Sequence, residues 1–229
     1  MFRIYRFDTS CYIDNDIFRK HMGLLSAEGR KRIDSYRSEA VRYSNLGASF
    51  LLYHAFTEAG LSYNSMEEMT YYGRFGKPYS RLPSVYFNAS HSGNMAMLII
   101  SMDEKGIADV GCDIEKIRPR NERLYKRYFT PEEVDYIESQ GTERNTSFIR
   151  MWTIKEAFLK TLGTGLTVPL NSFSIKLNDE LSISQTLDER EYILGELPVM
   201  EGYASSWCVA LDGTETDPNI IPEIVIAEA

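Results

Sequence analysis

Apolar positions along this chain change their period several times, and each change marks an element. The opening MFRIYRF alternates as a strand does, and Met95 to Ser101 is an almost unbroken apolar run of strand length. Val110, Cys112 and Ile114 alternate with Gly111, Asp113 and Glu115, which makes a strand whose two carboxylates point the same way. Helical spacing is expected around Asp16 to Leu25. A longer helix is expected over Ser38 to Ala59, with Leu46, Phe50 and Tyr53 on one face and Gly60 as its stop. Thr130-Pro-Glu-Glu133 reads as a capped helix start, with proline at the first helical position and Glu133 closing a capping box; this helix runs to about Gln140 and ends at Gly141. The stretch from Phe148 to Leu166 predicts a helix carrying Ile149, Trp152, Ala157 and Leu159, with Gly163 as its C-terminal stop. Four short strands are expected beyond it: 172–177, 181–187, 192–197 and 206–211. The acidic, proline-interrupted stretch from Asp212 is not placed by the pattern.

The 229 residues, 43% of them hydrophobic, suffice for one sizeable core or two small ones in an ordinary globular protein. Arg3, Arg6 and Asp8 stand where a signal peptide needs an apolar core, and no apolar run is long enough to cross a bilayer; the expectations are a cytoplasmic protein and no membrane partner. Cys11, Cys112 and Cys208 show no metal-type spacing and read as packing residues in a reducing compartment. The net charge of -8 is unevenly spread: residues 177–229 hold twelve Asp or Glu against Arg190 alone, so the rest of the chain is net positive. An anion site therefore belongs in residues 1–176. The most basic run, Arg30 to Arg42, suits a small phosphorylated ligand or a solvated helix face. It lacks the stacking aromatics or cysteine finger that would indicate nucleic acid.

Candidate chemistry concentrates in two places. Trp152, Glu156 and Lys160 are four residues apart and share a helix face. Set against Asp113 and Glu115, Glu156 completes three oxygen donors suited to magnesium, although a Glu and a Lys four apart also make an ordinary solvated surface. Asn88-Ala-Ser-His-Ser-Gly93 is expected to be a loop offering hydroxyl, imidazole and backbone N–H groups to a phosphate, or a hairpin turn satisfying itself. Gly73-Arg-Phe-Gly-Lys-Pro78 is a second turn-rich segment. His21 and His54 have no ligand-type spacing and read as structural. Gly163-Thr-Gly165 follows a helix rather than a strand, so it is no dinucleotide turn.

Gly111-Cys-Asp-Ile-Glu115 and Trp152-Thr-Ile-Lys-Glu-Ala-Phe-Leu-Lys160 resemble, in order and separation, the paired signatures of the 4'-phosphopantetheinyl transferases. GRFGKPY from Gly73 and FNASHSG from Phe87 resemble that family's upstream block. The resemblance implies an α+β fold of the larger, Sfp-like class: two similar lobes in pseudo-twofold arrangement, 1–108 and 109–229 with an acidic tail from about 212, each a small antiparallel sheet with a long helix, and the cofactor between them. A faint echo of residues 54–62 in residues 156–167 agrees with this. It also implies a monomer that transfers the phosphopantetheine arm of coenzyme A to a serine of an apo acyl or peptidyl carrier protein, releasing 3',5'-ADP. Magnesium, or manganese, would be held by Asp113, Glu115 and Glu156, with Glu156, directly or through a metal-bound water, as proton acceptor and Lys160 at the leaving group. Lys77, Ser90 and His91 are assigned to coenzyme A, as are Lys155 and Arg42, although Arg42 stands one place further from Leu46-Gly47 than the family pattern has it. The alternatives left open are a magnesium-dependent pyrophosphate hydrolase and a coenzyme A binding module without catalysis.

Overall fold

The computed structural model describes residues 1–61, 69–119, 123–177, 181–198, 200–214 and 220–229. Its contacts divide the chain into two compact units, 1–104 with 221–229, and 105–220.

In the first unit, β1 (Phe2–Asp8) is followed by three helices, α1 (Asn15–Gly23), α2 (Ala27–Ser35) and α3 (Glu39–Glu58). A small hairpin comes next, β2 (Thr70–Tyr72) with β3 (Pro78–Ser80), and then the hairpin β4 (Val85–Ser92) and β5 (Met95–Met102). Helix α3 lies on β1, β4 and β5 and buries Leu46, Phe50, Leu51 and Phe56 against Phe7, Phe87 and Leu98. Gly47 makes the close approach: a Cβ there would run into Thr9 and press on Ala96. His21 belongs to this core, stacked on Phe50 at 3.9 Å with its Nδ1 2.8 Å from the Tyr12 hydroxyl.

The second unit holds β6 (Ile107–Lys116), then α4 (Arg123–Tyr128), α5 (Pro131–Ser139) and α6 (Arg144–Leu162). These are followed by β7 (Ser174–Leu177), β8 (Leu181–Ser184), β9 (Tyr192–Glu196) and β10 (Tyr203–Leu211). An antiparallel sheet runs β6-β10-β9, and α6 lies across β6 and β10. The capping box at Thr130 forms with both its bonds. Gly163 ends α6 in the left-handed conformation, φ 76°, with its N–H on the Leu159 carbonyl at 2.9 Å.

The unit boundary near residue 104 differs from the expected 108 by a few residues, but the end of the chain differs in kind. Strand β11 (Glu223–Ile226) pairs in parallel with β1, giving the first sheet the order β11-β1-β5-β4. The assignment of 109–229 to one lobe is corrected there, because β1 is hydrogen-bonded on its other side by the end of the chain. Parallel pairing with a distant strand leaves no local turn signal to read. Two further corrections concern extent. Residues 88–92 are the end of β4 rather than a loop, and only Gly93 and Asn94 turn the hairpin, Gly93 at φ 57°. Residues 62–68, which include the end of the first echoed segment, and 215–219 of the acidic tail lie outside the described residues.

Candidate functional site

The face of β6 that carries Gly111, Asp113 and Glu115 is the face on which α6 lies. A Cβ at Gly111 would collide with the Ala157 carbonyl oxygen and with Thr161, both on α6. This glycine therefore lets the helix backbone reach the strand, and the two sequence motifs meet because of it. Two residues further along β6, the Asp113 carboxylate accepts from the Lys160 ammonium at 2.7 Å, with only 6% of the Asp113 side chain exposed. Burial pulls the Lys160 pKa down, but the charge and hydrogen bond of Asp113, together with Cys112 and Glu156, outweigh it and leave the pKa above its ordinary value.

Glu156 lies one helical turn before Lys160 on α6. Its carboxyl is pushed up to about 7, first by burial and then by the charge of Asp113; Lys160 opposes the shift and Glu115 adds to it. Three carboxylates and a lysine thus act on one another in a half-buried seam. Trp152, a turn earlier, packs among Tyr128, Phe129 and Phe148 with ring separations of 6.3, 6.4 and 6.1 Å, which makes it a packing residue that fixes the helix. Polar contacts continue along the seam: the Thr153 and Ser206 hydroxyls are 2.8 Å apart, and the Thr161 hydroxyl donates to the Ala157 carbonyl at 2.8 Å.

Among the described residues no group of three or more His, Cys, Asp or Glu side chains is placed closely enough to hold a metal ion. The chemistry of Asp113, Glu115 and Glu156 nevertheless fits one. All three offer hard oxygen donors, burial and then the neighbouring carboxylates raise the Glu156 pKa, and the cation already on Asp113 is the Lys160 ammonium.

Lys155 is corrected. It is fully buried, and its ammonium sits 2.7 Å from Glu133, 2.7 Å from the Leu170 carbonyl and 2.8 Å from the Phe173 carbonyl, with the Phe173 ring beneath it at 4.2 Å. Those partners occupy it with protein, and it is withdrawn from phosphate binding. Glu133, read from sequence as a helix cap alone, caps α5 and also accepts from the Ile175 N–H at 2.8 Å. The pair ties α5, α6 and the start of β7 together. A signal for it was present: Lys155 falls between Met151, Ile154 and Phe158, in the apolar stripe of its helix, where a lysine needs a buried partner.

The remaining assigned residues are in the first unit. Lys77 is nearly buried just before β3, with its ammonium 5.1 Å from the centre of the Tyr79 ring. Ser90 is buried and His91 exposed, on neighbouring positions of β4. Arg42 lies 3.7 Å from Glu39 and 6.0 Å from the Phe18 ring. His21, buried and bonded to Tyr12, is structural as expected; His54, partly exposed, lies 3.9 Å from Glu58 one turn on. No described helix is long and apolar enough to cross a membrane.

A model of the family described as the 4'-phosphopantetheinyl transferase superfamily matches residues 109–210. A 4'-phosphopantetheinyl transferase of Bacillus subtilis is 32% identical over 176 residues, covering 73% of each chain. The 4'-phosphopantetheinyl transferase ffp of Bacillus subtilis is 29% identical over 210 residues, 87% of this chain and 88% of that one. The 4'-phosphopantetheinyl transferase Sfp of Bacillus subtilis strain 168 is 34% identical over 140 residues, 59% of this chain and 60% of that one.

Proposed function

The chain belongs to the Sfp-like 4'-phosphopantetheinyl transferases and is an enzyme, and from that premise we propose that it moves the 4'-phosphopantetheine arm of coenzyme A onto a serine hydroxyl of an apo acyl or peptidyl carrier protein, with magnesium or manganese bound, releasing 3',5'-ADP. The observation that carries this reading is the seam of β6 and α6, where Lys160 is seated on Asp113 at 2.7 Å and Glu156 is held near 7 beside them.

In the reaction the serine oxygen forms a bond to the β-phosphorus of coenzyme A, and the bond from that phosphorus to the bridging oxygen breaks, leaving 3',5'-ADP. Asp113, Glu115 and Glu156 would hold the divalent cation. When bound, that cation supplies positive charge to the pyrophosphate. Glu156, in the same seam, is the group proposed to receive the hydroxyl proton, directly or through a water. Lys160 keeps its proton under the field of Asp113, so it can donate a hydrogen bond to the negative charge that develops on the departing phosphate. Lys77, Ser90, His91 and Arg42 are proposed as coenzyme A binding residues, on the resemblance of their segments to the family block.

The test is the intact mass of an apo acyl carrier protein and an apo peptidyl carrier protein, each incubated with this protein, coenzyme A and magnesium, with and without chelator. Gain of one phosphopantetheine arm, abolished by chelator, is the expected result. Coenzyme A cleaved without transfer to either carrier would replace the transferase reading by a pyrophosphate hydrolase.

A further inference from the structure

We propose that Arg6 binds a phosphate group of the substrate, an assignment that rests on the coenzyme A reading above. Strand β1 alternates, and its Tyr5 and Phe7 side chains enter the core of the first unit, so Arg6 lies on the opposite face of the sheet. Register fixes its neighbours: Arg6 is opposite Met97 on β5, and Met97 is opposite Ser90 on β4. Arg6 and Ser90 therefore share one row of one face, two strand spacings or about 10 Å apart at Cα, which an arginine side chain and a phosphate together span.

The guanidinium itself points to a ligand. Its Nε and Nη1 are buried, and neither has a hydrogen-bond partner among the described residues. Other arginines of the chain show what a satisfied one looks like. Arg3, on the same strand, holds Glu58 and Glu223 at 2.6 Å each, Arg150 grips Glu196 at 2.8 and 2.6 Å, and Arg190 grips Asp188. Among the described residues no carboxylate does this for Arg6, and burial lowers its pKa. A buried cation with open donors is costly to a fold, and a bound anion removes the cost. The planar fork of a guanidinium matches a phosphate bidentately, so a phosphate oxyanion is the ligand class. Coenzyme A offers two such groups, a 3'-phosphate and a pyrophosphate.

Calorimetric binding of coenzyme A, 3'-dephospho-coenzyme A and 3',5'-ADP to the wild type, Arg6→Met and Arg6→Lys tests this, together with melting curves of all three proteins without ligand. Arg6→Met is expected to bind coenzyme A about 10- to 100-fold more weakly, as for the loss of charged hydrogen bonds. Its melting temperature without ligand should equal or exceed that of the wild type, because an unsatisfied buried charge has been removed. Arg6→Lys, which keeps the charge but not the fork, should fall between. A loss that disappears with dephospho-coenzyme A identifies the 3'-phosphate as the partner, and a loss that persists identifies the pyrophosphate. Wild-type affinity in Arg6→Met, or a ligand-free melting temperature several degrees lower, would overturn the assignment and make Arg6 an ordinary part of the fold. A wild type that binds none of the three ligands would instead remove the coenzyme A reading, and this inference with it.

Discussion

The two long helices of this protein lie on their sheets in opposite chemical styles. Helix α3 meets its sheet through Leu46, Phe50, Leu51 and Phe56, and the glycine of closest approach, Gly47, is on the helix and faces side chains. Helix α6 meets its sheet with Asp113, Glu156, Lys160, Thr153 and Ser206 in the seam, and its glycine of closest approach, Gly111, is on the strand and faces helix backbone. An apolar seam stabilises through burial alone. Charges in the other seam cost desolvation, which a fold accepts where those charges serve chemistry. On the proposed function, similar scaffolds are put to different uses, one for cohesion and one for reaction.

The contrast is broken most severely at Glu156. Glu156→Gln should abolish transfer, a loss of about 100-fold to 10,000-fold or more for a proton acceptor. Because the folded pKa of Glu156 is near 7 against an ordinary 4.5, the ionised carboxylate is a burden to the folded state above pH 7, and that burden fades as pH falls toward 4.5. Denaturant melts of metal-free protein at pH 8 should therefore find Glu156→Gln more stable than wild type, by on the order of 2 kcal/mol after solvent screening.

Next in size is the buried pair behind the site. Lys155→Met leaves the Glu133 carboxylate buried at 1% exposure with its counter-ion gone, and should cost about 3–5 kcal/mol. Adding Glu133→Gln should recover part of the loss in the same melts. If Lys155→Met instead keeps full stability and weakens coenzyme A binding, Lys155 returns to the list of phosphate contacts.

In the apolar unit, the titrating group of interest is His21. Burial, and then the charge of Lys20, hold its pKa near 4 against an ordinary 6.5. Its stabilising contribution is complete above pH 6.5 and is lost as pH falls from there toward 4, since the unfolded chain takes up a proton that the folded one refuses. The loss is on the order of 3 kcal/mol. His21→Phe should flatten that limb. In the wild type this trend opposes that of Glu156 over the same pH range, so comparing the two variants separates them.

The smallest effect compares the two glycines. Gly111→Ala drives a methyl group into helix backbone and should cost about 1–3 kcal/mol or more. Gly47→Ala meets side chains and gains up to about 1 kcal/mol of helix propensity, so it should cost less. Equal costs would mean that the two seams are not built differently after all.

Much of this organisation was legible in the sequence where it depends on local periodicity. Alternation set β1 and β6, spacing with caps set α3, α5 and α6, and the two motifs placed Asp113 and Lys160 on facing elements before their 2.7 Å contact was seen. What escaped depends on partners distant in the chain. Lys155 reads as a neighbour of Glu156 until Glu133, on another helix, is found against it. Residues 88–92 read as a donor-rich turn because their strand character comes from pairing with β5. Strand β11 is too short and too far from β1 to announce itself. Arg6 reads from the sequence only as a charge that argues against a signal peptide, because the burial of its nitrogens depends on the folded chain around it.

The most direct measurement of the difference between the seams is the intact mass of an apo carrier protein after incubation with coenzyme A, magnesium and each of three folded proteins: wild type, Glu156→Gln, and His54→Gln on the long helix of the first unit. The expected result is a phosphopantetheine arm added by the wild type and by His54→Gln at similar rates, and none added by Glu156→Gln. Near-normal transfer by Glu156→Gln would contradict the assignment of the chemistry to the seam of β6 and α6.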